Sequence, residues 1–176
     1  MRTVIPSLFL AVLLVVLGVG MVIYAGAYDV AATAPHWRIT AWLLETARTR
    51  SIKAQAAGIA VPLGLGDPAN TIIGVEHYAA HCAVCHGGPG VPKGDIAHGL
   101  YPSPPDLAKA SPLYTPAELF WVIKHGIKMT GMPAWSDHSN EEIWATVGLL
   151  QKLPGMSEQD YASLLMASMA RGGSHH

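Results

Sequence analysis

The apolar positions follow two different patterns along the chain. From Val4 to about Tyr28 they form an unbroken run without a charged residue, whereas beyond Pro35 they recur every three or four residues among polar positions. A run of about 25 residues can span a bilayer and exceeds the roughly 7–15 residues of a signal-peptide core. We therefore expect residues 1–28 to form an uncleaved transmembrane anchor.

The next stretch, residues 29–69, is predicted to contain a juxtamembrane helix followed by a linker. Trp37, Ala41, Leu44 and Arg48 fall on one side of an amphipathic helix that runs from about residue 35 to 57. Its basic residues could meet anionic lipid headgroups, or the helix could dock on a partner or on the rest of the chain. Residues 58–69 are rich in proline and glycine, which is typical of a linker.

Helix-start signals recur along the remainder of the chain. Asn70 is predicted as the N-cap of a helix to about Ala80, and residues 115–118 form a capping box with proline at the first helical position. A glycine at position 126 would end that helix. A second capping box, at residues 139–142, opens a helix to Lys152.

The C-terminal part follows the same pattern. Ser157 and Asp160 would begin a last helix, which we expect to pack on the preceding domain or on a partner. The sequence thus predicts an all-α fold, with a domain over residues 70–155, a C-terminal helix over 156–171, and a tag remnant over 172–176.

Composition and charge limit the classes of protein to which the chain can belong. With 51% hydrophobic and 13% charged residues in 176, the chain suits one domain plus a membrane element. Its formal net charge of −1 provides no strongly basic face, so we expect no nucleic-acid partner.

Both cysteines lie in the sequence Cys82-Ala83-Val84-Cys85-His86. The spacing Cys-x-x-Cys-His is the attachment signature of a c-type haem, in which two thiols bind the macrocycle and the following histidine ligates iron. Three other uses of the two cysteines fit the sequence less well. A zinc site would need a second ligand pair, a thioredoxin-like pair would need a βαβ context, and a disulfide across two residues would stabilise little. The motif therefore predicts one haem c, covalently bound through Cys82 and Cys85, with His86 as an iron ligand.

Residues 70–154 resemble a class I cytochrome c, the small all-α fold that wraps one haem. Gly74 and Tyr78 match a glycine and an aromatic residue that pack the family's first helix against its last, with Trp144, Val147 and Gly148 as expected counterparts. The segment Pro105-Asp106-Leu107 is similar to the family's Pro-x-Leu. That resemblance implies that the Pro105 carbonyl accepts a hydrogen bond from the ligand histidine.

The segment Gly131-Met132-Pro133-Ala134-Trp135 resembles the family's sixth-ligand loop. A residue before proline stays extended, and glycine allows close approach, so Met132 can project inward. We predict Met132 as the second axial ligand and Trp135 as a haem contact. Met129, which lacks these constraints, is the competing ligand.

The resemblance implies one-electron transfer, because iron with a His/Met pair has no open position for substrate. The alternative is a haem enzyme or gas sensor with an open iron site. The haem domain is expected in the periplasm, tethered to the bacterial inner membrane by a single span. Its expected partners are membrane lipid, a quinol-oxidising complex or periplasmic dehydrogenase as donor, and a terminal oxidase or reductase as acceptor. Fixed association with other transmembrane subunits is the alternative to a free carrier.

The histidines outside the motif are not predicted as ligands. His77 and His81 lie four apart on one helix, where two imidazoles could hold a metal ion, but we interpret them as a surface pair. His36, His98, His125 and His138 carry no motif.

Overall fold

A computed structural model describes residues 4–172, which divide between two compact units, Met1–Ala34 and Pro35–His176. The predicted all-α fold is confirmed: the described residues form helices and only one isolated β-bridge, between Gly88 and Val91. Met1–Thr3 and most of the predicted tag, residues 173–176, lie outside the described residues. The helices are α1 (Val4–Tyr24), α2 (Arg38–Ala56), α3 (Pro68–His81), α4 (Ala83–His86), α5 (Asp95–His98), α6 (Leu107–Ala110), α7 (Pro116–His125), α8 (Asn140–Lys152) and α9 (Glu158–Gly172).

The first unit contains the apolar helix α1. Its segment Ile5–Tyr24 has 20 residues and, by length and composition, could cross a membrane. At about 1.5 Å per residue, such a helix is about 30 Å long, which matches the hydrocarbon thickness of a bilayer. The helix ends at Tyr24, before the end of the apolar run in the sequence.

In the second unit, α2 packs against α7. Its Arg48 guanidinium lies 3.3 Å from the carboxylate of Glu45, one turn earlier. Ile52 and Ala56, further along the helix, are buried. The structure therefore shows this helix in contact with the rest of the unit, which is one of the alternatives that the sequence left open.

The core lies where α3 and α8 cross. Val75, Tyr78, Ile143, Val147 and Leu149 are at most 1% exposed and form its centre. Burial of five such side chains contributes roughly 10 kcal/mol of hydrophobic stabilisation.

Helix α3 begins earlier than predicted. Its N-cap is Asp67 and Pro68 occupies the first turn, whereas the sequence pattern placed the cap at Asn70. Proline favours the first helical position because its fixed φ suits a helix and it has no N–H to satisfy. The segment interpreted as linker is also partly packed, since Ile59 and Leu65 contact the core.

Two glycines allow α8 to lie close both to α3 and to the segment that precedes α3. A Cβ at Gly74 would lie 2.2 Å from the Ala145 carbonyl oxygen, so α3 and α8 meet here backbone to backbone. The expected counterpart Gly148 lies instead against Leu65, while Trp144 stacks on Phe120. The expected contact of Gly74 with α8 is therefore present, but through Ala145 and Leu149.

Both predicted capping boxes are confirmed. The Thr115 hydroxyl accepts from the Glu118 amide at 3.3 Å, and the Glu118 carboxylate accepts from the Thr115 amide at 2.7 Å. Ser139 and Glu142 make the same pair of bonds at the start of α8. Gly126 follows α7 with a φ of +65°, as expected of a terminating glycine.

The C-terminal helix α9 packs on α3. Ser157 accepts from the Asp160 amide at 3.1 Å, which starts the helix as predicted. Tyr161 is 1% exposed, and its ring lies edge-on to that of Tyr78. The helix therefore belongs to the folded unit.

Substitution of Gly148 by alanine is expected to destabilise this unit by roughly 3 kcal/mol, because overpacking against backbone cannot be relieved by a side-chain rotation. The added Cβ would lie 2.0 Å from the Leu65 carbonyl oxygen. Gly99→Ala is the matched control, since its nearest neighbour would be 3.8 Å away. Chemical denaturation followed by far-ultraviolet circular dichroism measures both. Equal midpoints for the two variants would contradict the close contact.

Candidate cofactor site

A cavity of about 580 Å³ opens beside the Cys-x-x-Cys-His segment. This volume falls within the roughly 300–1,000 Å³ of small-molecule and cofactor sites. All six residues that the sequence singled out line it: Cys82, Cys85, His86, Pro105, Met132 and Trp135. Much of the remaining lining is aliphatic and includes Leu100, Leu107, Leu119, Val122, Ile123, Ile127 and Leu150.

The cysteines and the histidine share one helical turn. Cys82 caps the short helix α4, which carries Cys85 and His86, so all three side chains fall within a single turn. Neither thiol is in a disulfide. Burial, with a smaller effect of Cys85, raises the pKa of the Cys82 thiol to about 12. A neutral, buried thiol is the opposite of the low-pKa thiolate that a redox-exchange pair requires.

His86 is oriented by Pro105. Its Nδ1 lies 2.9 Å from the Pro105 carbonyl oxygen, which can only accept, so Nδ1 carries the proton and Nε2 keeps its lone pair. Burial lowers the pKa of His86, and the hydrogen bond to Pro105 partly opposes this. The neutral imidazole thus presents Nε2 as a potential metal ligand.

The loops around His86 are held from both sides. The Tyr78 hydroxyl donates to the Gly87 carbonyl at 2.7 Å, and the Lys93 ammonium donates to the Pro104 carbonyl. Gly87 has a φ of +68°, where a side chain would also crowd the Val91 carbonyl. These contacts fix the backbone on which the His86–Pro105 hydrogen bond depends.

Met132 projects from a loop with its own internal hydrogen bonds. The Met132 amide donates to the Thr130 hydroxyl at 3.1 Å, and the Met132 carbonyl accepts from the Ile127 amide at 3.2 Å. A Cβ at Gly131 would lie 2.8 Å from the side chain of Leu100, so glycine permits the close approach expected there. Met132 thus faces the same cavity as His86.

Met129 is placed differently. Its side chain is 82% exposed, and its φ of 60° makes it the one non-glycine residue with positive φ among the described residues. Met129 is not among the residues that line the cavity. The geometry therefore favours Met132 over Met129 as a potential ligand.

The interpretation of His77 and His81 as a surface pair is wrong for His77. Its side chain is 6% exposed, and its Nε2 lies 2.9 Å from Nδ1 of His138. His81 is half-buried and lines the cavity beside Trp135, whose ring centroid lies 4.7 Å away. No sequence pattern indicated this contact, because His138 is 61 residues from His77.

Arg48 also lies at the cavity, which no sequence motif indicated. Arg48 lines it from α2, and its Nε is a buried atom without a hydrogen-bond partner in the described part of the chain. A buried guanidinium N–H without an acceptor is costly, so this site suits a negatively charged group of a bound molecule. Only its place on one face of an amphipathic helix could have indicated that Arg48 faces inward.

Most of the residues that line the cavity lie in a segment that matches a known protein family. The model of the family described as cytochrome C oxidase, cbb3-type, subunit III matches residues 69–150, just under half of the chain. This segment is a c-type cytochrome domain. Such a domain carries haem and transfers electrons. No curated protein and no solved structure matches the chain significantly.

The residues around the cavity fit the haem of a c-type cytochrome. Two thiols and a neutral imidazole lie on one turn, a thioether faces the same space, and the walls are largely aliphatic. The buried Arg48 Nε offers a donor for a haem propionate. Every type of contact that the cytochrome domain needs is therefore available from this chain.

Proposed function

We propose that the protein is a membrane-tethered electron-transfer cytochrome with one haem c, attached through Cys82 and Cys85 and ligated by His86 and Met132. The observation that carries the proposal is the convergence of these four side chains on one cavity. They come from two segments of the chain, and His86 and Met132 lie 46 residues apart in the sequence. Chance would rarely bring both axial candidates and both thiols together.

Each residue has a distinct task in this proposal. His86 is held by the Pro105 carbonyl so that Nε2 binds iron, and the same bond raises the basicity of the imidazole. Met132 would supply a thioether as the second protein ligand of the iron and would exclude water and substrates from that position. Bound haem supplies a one-electron couple, and a thioether ligand favours its reduced form. The aliphatic walls keep the site dry, and Trp135 contributes to them.

We propose further that α1 anchors the domain to the bacterial inner membrane with the haem domain in the periplasm. The apolar helix supports a single span. The location rests on the attachment of haem c outside the cytoplasmic membrane in c-type cytochromes. Protease treatment of spheroplasts tests it, because it should cut the haem domain and spare a cytoplasmic control protein. A haem domain that stays protected until lysis would contradict the orientation.

The description of the matched family as an oxidase subunit supports a place in a respiratory chain. We propose that the protein receives electrons from a quinol-oxidising complex or periplasmic dehydrogenase and passes them to a terminal oxidase or reductase. It would act as a free carrier or as a fixed subunit. Solubilisation in mild detergent separates the two, because a fixed subunit should co-migrate with its complex in native gels and a carrier should not.

The experiment that tests the haem assignment is spectroscopic. The purified protein in alkaline pyridine should show covalently bound haem at one per chain. The reduced native protein should bind carbon monoxide slowly, because Met132 occupies the sixth position. Colourless protein would refute the assignment, and rapid carbon monoxide binding would favour a haem enzyme or gas sensor.

Substitution of Arg48 by methionine is expected to lower the midpoint potential of the haem and to cost about 2 kcal/mol of stability. Removal of a positive charge beside the cofactor disfavours the state with one more electron, and a charged hydrogen bond contributes about 1.5–3 kcal/mol. Potentiometric titration and denaturation of the holoprotein measure the two effects. Arg50→Met is the control, since Arg50 is exposed on the same helix. Identical potentials in the two variants would contradict an Arg48–propionate pair.

A further inference from the structure

Three histidines meet beside the cavity without being part of the proposed iron ligation. His77 and His81 lie one turn apart on α3, and His138 immediately precedes the N-cap of α8. A ligand nitrogen from each lies within 4.8 Å of the others. Imidazoles four residues apart on a helix face, joined by a third from another segment, form a typical donor set for a transition-metal ion.

Hydrogen bonds determine how His77 faces the other two. The Thr146 hydroxyl donates to the Glu142 carbonyl at 2.9 Å, so towards His77 it acts as the acceptor. Nδ1 of His77, 3.0 Å from that hydroxyl, therefore carries a proton. This leaves the lone pair on Nε2, the atom that lies 2.9 Å from His138.

Metal-binding histidines usually have this arrangement, in which the other ring N–H donates to an oxygen that fixes the tautomer. Thr146 is fully buried and is itself anchored to the α8 backbone, so it holds the His77 ring in place. His77 is thus oriented before any ion binds.

The protonation state of the cluster also suits a cation. His77 is 6% exposed, and its Nδ1–H faces the Thr146 hydroxyl while Nε2 accepts from His138, so the imidazole in this geometry is neutral. A neutral histidine binds metal without first releasing a proton. The nearby Glu142 carboxylate adds a negative charge whose interaction with His77 and His138 is attractive when these rings are charged. A cation in the cluster would benefit from the same attraction.

We propose that His77, His81 and His138 together bind one divalent ion of a late first-row transition metal, of the Zn²⁺ or Cu²⁺ type. Imidazole suits these ions, and three ligands around a tetrahedral ion lie roughly 3.3 Å apart for bonds of about 2.0–2.1 Å. Uptake of the ion replaces the His77–His138 hydrogen bond, and the half-buried rings of His81 and His138 turn to close the site. Their partial exposure also provides a path from solvent.

The surroundings favour a defined site over a loose surface cluster. The Trp135 ring lies 4.7 Å from the His81 ring and 5.0 Å from that of His138, so it packs against both. Trp135 is in turn fixed by its amide, which donates to the Ile123 carbonyl at 3.2 Å. His81 and His138 therefore have limited freedom to turn away from His77.

The test is a zinc titration of the full-length, haem-loaded protein in detergent, followed by isothermal calorimetry and metal analysis after dialysis. The parent carries His175→Ala and His176→Ala, because terminal histidines bind metal themselves. We expect one zinc per chain. Loss of a ligand should weaken binding by about 100-fold or more, beyond the 10–100-fold effect of an outer partner.

The informative variants are His81→Gln and His138→Gln, which change half-buried residues and spare the buried His77. His125→Gln is the control, since His125 is exposed and outside the cluster. Tight binding in the parent and control, with loss in both glutamine variants, supports the site. Failure of the parent to retain zinc, or equal zinc affinity in all variants, overturns it. Zinc is counted separately from haem, so the zinc stoichiometry and the pyridine spectrum of the same preparation test this site and the proposed electron-transfer function independently.

Discussion

A chain with Cys82→Ala and Cys85→Ala is expected to lose its covalent haem and, with it, the stability of the second unit. Both thiols face the cavity from a single helical turn, and the chain contains no other cysteine. Without haem, apolar wall residues such as Leu100, Leu107 and Val122 would face water or unfilled space, and each would lose part of the about 1.5–3 kcal/mol that full burial of such a side chain contributes. Summed over the walls, this loss is a large part of the stability of a typical domain.

The measurement is haem staining of a denaturing gel together with far-ultraviolet circular dichroism. The double variant should give no stained band and should be largely unfolded at temperatures where the parent is folded. Val84→Ala is a suitable control, since Val84 lies between the cysteines but is 51% exposed. A stained, folded double variant would refute covalent attachment through these thiols.

The parts of this structure that the sequence predicted are those determined locally. Each capping box lies within four consecutive residues, so Thr115 with Glu118 and Ser139 with Glu142 could be recognised from the sequence and are confirmed. The all-α class follows in the same way from apolar spacing and helix-start signals. The cytochrome domain was recognised because Cys82, Cys85 and His86 lie together in the chain.

What the sequence did not predict depends on tertiary contacts. The buried His77 finds His138 across 61 residues, and no spacing rule links them. Arg48 reaches the cavity only because α2 packs against α7. Gly148 was expected near Gly74, but the Leu65 segment lies against it instead. Such contacts are decided by how helices pack, which a single sequence does not encode in any short window.

Substitution of Met132 by alanine is expected to remove the thioether-to-iron absorption band, to lower the midpoint potential by on the order of 100 mV, and to allow rapid carbon monoxide binding. The reason is geometric. Met132 lines the cavity on a loop held by hydrogen bonds to Thr130 and Ile127, which fix the place from which its thioether reaches the cavity. Absorption spectra of the oxidised protein and potentiometric titration provide the measurements.

Met129→Ala is the matched control, because it removes the same side chain three residues earlier in the same loop. Met129 is 82% exposed, its backbone lies in the left-handed region, and it does not line the cavity that Met132 faces. The control should retain the absorption band and the potential of the parent. If the band disappears in the Met129 variant and persists in the Met132 variant, the axial assignment must be reversed. If it persists in both, neither methionine is the ligand, and the sixth position is filled by another residue or is open.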